Sequence, residues 1–264
     1  MTLQIYHNNM SVCAQKVRIF LAEEGLEAEE IHLNLRTSNQ QSAAYREHNP
    51  KAYFPTLVNG HDVVTESNVI CAYLDEVFPE PPFMPSDPIV RARACIWMRQ
   101  TDERIHSVYV VLSNTIVFRQ QWLSHPTEEL VETIRNTPNF EIRERRSDII
   151  ANGTKSFEFK SAVIGYRSLA LEMNETLSKS RWLSGNSFSL ADVALFPYIK
   201  RAAELQLPLF WDDLPELMRW FNAFSNRNSV DRAVRAYDEP SYLKLMKSTG
   251  LDHVELVRAT MESG

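Results

Sequence analysis

Asn49-Pro-Lys-Ala-Tyr-Phe-Pro-Thr-Leu-Val-Asn-Gly-His-Asp-Val-Val-Thr-Glu-Ser67 decides how the first third of this 264-residue chain folds. Pro55-Thr-Leu-Val58 and Asp62-Val-Val-Thr65 are short apolar runs, with Asn59-Gly60 between them. Asn-Gly supplies the positive φ values of a type I′ turn, so a hairpin is predicted. Ser67 is placed to cap a helix whose apolar positions include Val69, Ile70, Tyr73, Leu74 and Val77.

Upstream, Leu3 and Ile5 read as a short strand. Ser11 to Glu24 reads as a helix with Val17, Phe20 and Leu21 on one face and Gly25 as its stop. Ile31, Leu33 and Leu35 alternate with polar residues, as a half-buried strand does, and Ala43, Ala44 and Tyr45 are weakly helical. The order β-α-β-α-β-β-α predicts a small mixed sheet with helices on its faces. Downstream, Pro79, Pro81, Pro82, Pro85 and Pro88 bar both helix and central strand. They are read as a linker between a domain of residues 1–80 and a second of residues 88–264. The second shows no strand run. Ile89–Ser113, Lys160–Leu177 and Pro215–Phe224 have helical patterns, while residues 120–158 are polar and receive no element. Ser189-Leu-Ala-Asp192 is a capping box, in which the hydroxyl takes the N3 amide and the carboxylate returns to the cap. The expected class is α/β plus all-α.

Composition narrows the function. Lys and Arg total 28 against 34 Asp and Glu, a net charge of −6, which argues against a nucleic-acid partner. The 44% apolar content is enough to bury a core, yet no stretch approaches the ~18–20 apolar residues of a membrane span. Cys13, Cys71 and Cys95 form no CxxC, and the 7 histidines show neither HExxH nor paired spacing, so no metal is expected. The 7 glycines form no dinucleotide or P-loop motif. With a start, MTLQIYHNNM, that lacks a basic and apolar leader pattern, the reading is a reduced, cytoplasmic protein.

Four motifs then carry a resemblance. Asn49–Leu57 resembles the NPxGxVPxL segment of cytosolic glutathione transferases, and Thr65-Glu66-Ser67 resembles their E-S pair. Ser11-Val-Cys-Ala-Gln-Lys-Val-Arg18 is similar to the S-x-C-x-x-x-V-R turn of serine-type members, and Ser189–Asp192 to their capping box. Val63–Glu80, Asp87-Pro88, Arg91-Ala92 and Trp97 are similar to the F type of bacterial glutathione-dependent β-aryl etherases. Ala52 and Tyr53 depart from the family, where Gly and then Lys or Gln are common.

The resemblance implies a thioredoxin-like domain followed by a helical-bundle domain, a homodimer, and glutathione as co-substrate. It implies a cis bond before Pro55. Ser11 would be catalytic. Ser11, Tyr53, Phe54, Pro55, Glu66 and Ser67 would bind glutathione, with Asp102 near its ammonium. Met10, Tyr109, Leu112 and Phe118 would line an electrophile pocket between the domains. Cys13 is the rival nucleophile, pointing to thiol–disulfide chemistry. A zeta-like isomerase shares the Ser11-x-Cys13 turn, and a non-catalytic binding module shares the fold.

Free glutathione has a thiol pKa of about 8.5, which leaves roughly 3% thiolate at pH 7. Lowering it by about two units gives roughly three-quarters thiolate and needs about 2.7 kcal/mol. One hydroxyl donor, at about 1.5–3 kcal/mol, together with a helix dipole, meets that need. Ser11, just ahead of the first helix, is predicted to donate to the sulfur.

Overall fold

The computed structural model describes residues 3–34, 42–135, 137 and 139–263. The chain forms two compact units, each built from three segments. The first holds Met1–Arg99, Thr176–Ile199 and Met218–Pro240; the second holds Gln100–Glu175, Lys200–Leu217 and Ser241–Gly264.

The first unit contains one four-stranded sheet of order β2-β1-β3-β4. Its strands are β1 Leu3–His7, β2 Ala28–His32, β3 Thr56–Asn59 and β4 Asp62–Thr65. β1 runs parallel to β2 and antiparallel to β3, which pairs antiparallel with β4. Three helices belong to this sheet: α1 Val12–Glu24, α2 Ala43–His48 and α3 Ser67–Val77. Ile5, Val17, Phe20, Leu57, Ile70 and Leu74 are wholly buried and tie β1, β3, α1 and α3 into one core. α1 ends where predicted: Gly25 adopts φ 66° and its N–H returns to the Leu21 carbonyl. A left-handed C-terminal residue of this kind suits Gly, which has no Cβ to clash.

Four local expectations need correction. The hairpin turn is centred on Gly60 and His61, because Asn59 pairs with Asp62 across the ladder. Positive φ occurs at Gly60 and not at Asn59, the pattern of a type II′ turn and not of type I′. Ser67 is the first residue of α3; the cap is Glu66, whose φ of 69° carries the chain out of β4 without a side-chain capping bond. β2 covers Ala28–His32, so Ile31 is in the strand and Leu33 follows it, its N–H bonded to the His7 carbonyl at 2.7 Å. Leu35 lies outside the described residues.

The segment after α3 is pinned by Asp75, whose carboxylate accepts the N–H groups of Phe83 at 2.5 Å and Met84 at 3.1 Å. Then come α4 Pro88–Gln100, α5 His106–Ser113 and α6 Arg119–Leu123, joined by wider π-type turns at Thr101–Ile105 and Asn114–Phe118. Residues 120–158 prove largely helical, with α7 Thr127–Arg135 and α8 Phe140–Asn152. α7 buries no residue, although Leu130, Val131 and Ile134 share one of its faces. The remaining helices are α9 Phe159–Leu177, α10 Leu190–Glu204, α11 Pro215–Ser225, α12 Asn228–Ala233 and α13 Pro240–Glu262. Among the described residues no strand follows Thr65. No helix among the described residues is long and apolar enough to cross a membrane.

The box before α10 forms by half. The Asp192 carboxylate does return to the Ser189 N–H at 3.0 Å, but the Asp192 N–H bonds the Ser189 carbonyl, not its hydroxyl. That hydroxyl donates to Asp192 at 3.2 Å and meets Ser184 Oγ at 2.8 Å. Leu183 N–H and Trp220 Nε1–H complete the carboxylate's shell at 3.0 and 2.8 Å. Burial pushes the Asp192 carboxyl up to about 6, against the opposing pull of these donors.

Candidate functional site

Strand register brings the predicted glutathione residues to one end of the sheet. Tyr6 faces Thr56 across β1 and β3, and Thr56 faces Thr65 across β3 and β4. The chain therefore leaves β1 towards Ser11, enters β3 from Pro55 and leaves β4 into Glu66 and Ser67, all at that end. Two helices, α1 and α3, also start there, so two sets of first-turn amides without helical partners and two positive dipole ends belong to the same edge. This is the arrangement that receives an anion.

Ser11 is half-buried and caps α1 with extended backbone, φ −72° and ψ 121°. Its Oγ accepts the Ala14 N–H at 3.2 Å. Accepting that bond uses a lone pair and leaves the O–H proton to donate elsewhere. Capping and thiol activation are therefore compatible roles for one hydroxyl. Cys13, two residues on, is also half-buried, with its Sγ 4.0 Å from the Tyr198 hydroxyl.

The approach to Pro55 is held from behind. The Tyr53 carbonyl accepts the Tyr45 hydroxyl and, at 2.8 Å, Asn49 Nδ2. Both donors also reach Thr56 Oγ1, at 2.8 and 3.2 Å. The Phe54–Pro55 bond is cis, as the resemblance implies. The Tyr53 side chain itself is exposed. Ala52 adopts φ 57°, a left-handed conformation that explains why Gly is common at this position. Sequence reasoning misses the bracing role of Tyr45 and Asn49. Asn49 opens a family-like segment, but nothing local marks Tyr45 as a hydroxyl donor.

Ser67 is buried at the start of α3, whereas the Glu66 side chain is exposed and pairs with Lys51 Nζ at 3.0 Å. Both partners are more than half exposed, so the pair is weak and exchanges readily with water or a ligand cation. Of the residues predicted for the electrophile, Met10 is buried in the first unit. The others belong to the second unit: Leu112 is buried, Phe118 packs on Tyr242 at 6.0 Å, and the Tyr109 hydroxyl accepts Arg201 Nη1 at 2.8 Å. Asp102 is exposed in the first π-type turn.

A β-α-β-α-β-β-α unit with a cis-proline edge and two helix starts, followed by helices alone, is a thioredoxin-like domain joined to a helical one. Two family models match the chain: "Glutathione S-transferase, N-terminal domain" over residues 5–82 and "Glutathione S-transferase, C-terminal domain" over residues 166–228. The protein LigF of a Sphingobium strain is 30% identical over 244 residues, 87% of this chain and 92% of that one. Glutathione S-transferase Z2 of Arabidopsis thaliana is 28% identical over 90% of this chain and 94% of its own. The crystal structure of the β-etherase LigF superposes with a TM-score of 0.81, covering 89% of this chain and all of that one at 27% identity. The chain belongs to the glutathione S-transferase family, whose co-substrate is glutathione.

Proposed function

We propose that this protein is a glutathione transferase in which the thiolate of bound glutathione attacks an aromatic electrophile, and that the reaction is β-aryl ether cleavage. The Ser11 hydroxyl donates to the sulfur and α1 adds its dipole. The backbone of Phe54 and the Tyr53–Pro55 turn hold the cysteinyl part. Ser67 with the start of α3 receives the γ-glutamyl carboxylate, and Glu66 exchanges Lys51 for the γ-glutamyl ammonium. Met10, Tyr109, Leu112 and Phe118 are offered as electrophile contacts. In the ether reaction a C–S bond forms, the C–O bond breaks, and the aryloxide leaves to take a proton from water.

The observation that carries this reading is the single bond of Ser11 Oγ among the described residues, to Ala14 N–H, which leaves its proton unspent. The likeness to LigF supports the ether substrate. A homodimer belongs to the same proposal. Val69, Tyr73 and Val77 recur every four residues along α3, Ile89 and Ile96 share a face of α4, and all but Tyr73 are markedly exposed. A cytoplasmic location accords with three free cysteines.

The test sets 1-chloro-2,4-dinitrobenzene beside a model β-aryl ether, each with and without glutathione. Release of the phenol with S11A impaired and C13S active is the expected result. Loss in C13S with S11A intact moves the chemistry to Cys13. Turnover of neither compound, with glutathione bound normally, favours a binding module. The Z2 likeness supports one alternative, a glutathione-dependent isomerase, and ether turnover without isomerase activity sets it aside.

A further inference from the structure

We propose that Arg18 is a positioning residue for Ser11, and that the unprotonated Nδ1 of His7 keeps its guanidinium in place. The inference rests on the role given to Ser11 above. Arg18 lies in the second turn of α1 and is only 2% exposed. Its Nη1 donates to the Asn8 carbonyl at 3.2 Å and to His7 Nδ1 at 2.8 Å. Nη2 donates to the Asn9 carbonyl at 2.8 Å and Nε to the Ala233 carbonyl at 2.9 Å. The guanidinium also lies over the Tyr237 ring, 4.1 Å from its centroid.

The link to the site is direct. The Asn8 carbonyl that receives Arg18 also receives the Ser11 N–H, at 3.2 Å. Asn8 further braces the loop through its side chain, accepting Met10 N–H at 3.1 Å and donating to the Leu33 carbonyl at 3.0 Å. One planar fork therefore holds two of the three residues between β1 and Ser11. A lysine has a single charge centre and cannot span four acceptors in this geometry.

His7 accepts at Nδ1 only when its proton sits on Nε2, and Nε2 is 3.3 Å from Glu30, which also accepts the Tyr237 hydroxyl. The groups around the ring are thus Arg18 on α1, Glu30 and His32 on β2, and Tyr237 after α12, while Asp238 acts on the Arg18 guanidinium. A second proton would set an N–H against the guanidinium N–H at 2.8 Å, two donors and two positive charges face to face. Burial holds the imidazole below its ordinary pKa, so the accepting form persists at neutral pH. Acid strong enough to protonate it releases Arg18 and loosens the Ser11 loop.

The experiment follows the absorbance of the bound glutathione thiolate and the conjugation rate against pH, with glutathione affinity from calorimetry. The expected result for R18K is affinity within about threefold of wild type, a bound-thiol pKa raised by about one unit, and kcat about threefold lower at pH 7, recovering in alkali. In H7N an amide oxygen replaces Nδ1 as acceptor and cannot titrate, so the acid limb should need one proton where wild type needs two. H7Q puts its amide at the Nε2 position and should show a higher bound-thiol pKa than H7N. An unshifted thiol in R18K, or the same acid limb in H7N as in wild type, overturns the proposal. If R18K does not fold, equal thiol pKa values in H7N and H7Q overturn it. A wild-type protein that binds glutathione without ionising it refutes the role of Ser11 instead.

Discussion

Ser11 and Ser189 each stand immediately before a helix, yet the two hydroxyls have opposite situations. Ser189 is wholly buried; its Oγ meets Ser184 and Asp192, and the carboxylate it serves is shared with Leu183 and Trp220. Ser11 is half-buried and its Oγ makes one bond among the described residues. The same residue type at the same kind of position is structural where its proton is already given to a buried carboxylate. It becomes chemical where a proton is left over beside an anion-attracting edge. A capping motif alone does not distinguish these cases; the number of partners does.

The largest way to sharpen the contrast is D192A. It leaves the buried donors of Leu183, Ser189 and Trp220 without an acceptor, and a loss of about 3 kcal/mol or more is expected in chemical denaturation. S11A should lose only about 1 kcal/mol of stability, the worth of an N-cap. Its conjugation rate at pH 7 should instead fall roughly 25-fold, the drop from three-quarters to 3% thiolate, and recover as pH rises. A stability loss in S11A as large as that in D192A would erase the distinction.

A third prediction uses pH. The folded Asp192 carboxyl titrates near 6, above its unfolded value, so between about pH 4 and 6 the native state holds more protons than the unfolded one. This group therefore costs stability as pH rises through that window, and the full cost stands above about 6. Acidifying from pH 7 to 5 should relieve about 1 kcal/mol of it in wild type and none in D192N. Thermal melts of the two proteins at both pH values give the difference, free of other carboxyls. The smallest expected effect is at the glutathione edge: A52G should raise stability by about 0.5 kcal/mol, because relief of the left-handed strain at Ala52 slightly exceeds the entropy added to the unfolded chain. Its rate constants should move less than those of S11A.

Much of this architecture was legible because it is local. The extent of α1, its Ser11 start and its Gly25 stop depend on neighbours within five residues, and so does the hairpin. Helical residues 127–135 were not placed, although Leu130, Val131 and Ile134 share one helical face; a segment of 9 residues has too few turns for that spacing to stand out. The hairpin turn slipped by one residue because Asn59-Gly60 and Gly60-His61 both offer a glycine, and the choice was made by the ladder with β1 and β4.

By itself the sequence determined the order of strands and helices through Val77, the breaks at its prolines and glycines, and the motifs that mark glutathione transferases. All of these are set by backbone stereochemistry and short-range hydrogen bonding. Tertiary structure alone decided that Ser189 is spent while Ser11 is not. It also decided that Arg18, on a helix read as merely apolar on one face, reaches His7, Asn8, Asn9 and Ala233 together. A buried charge must gather its acceptors from wherever the fold brings them, and separation along the chain does not record which groups will meet.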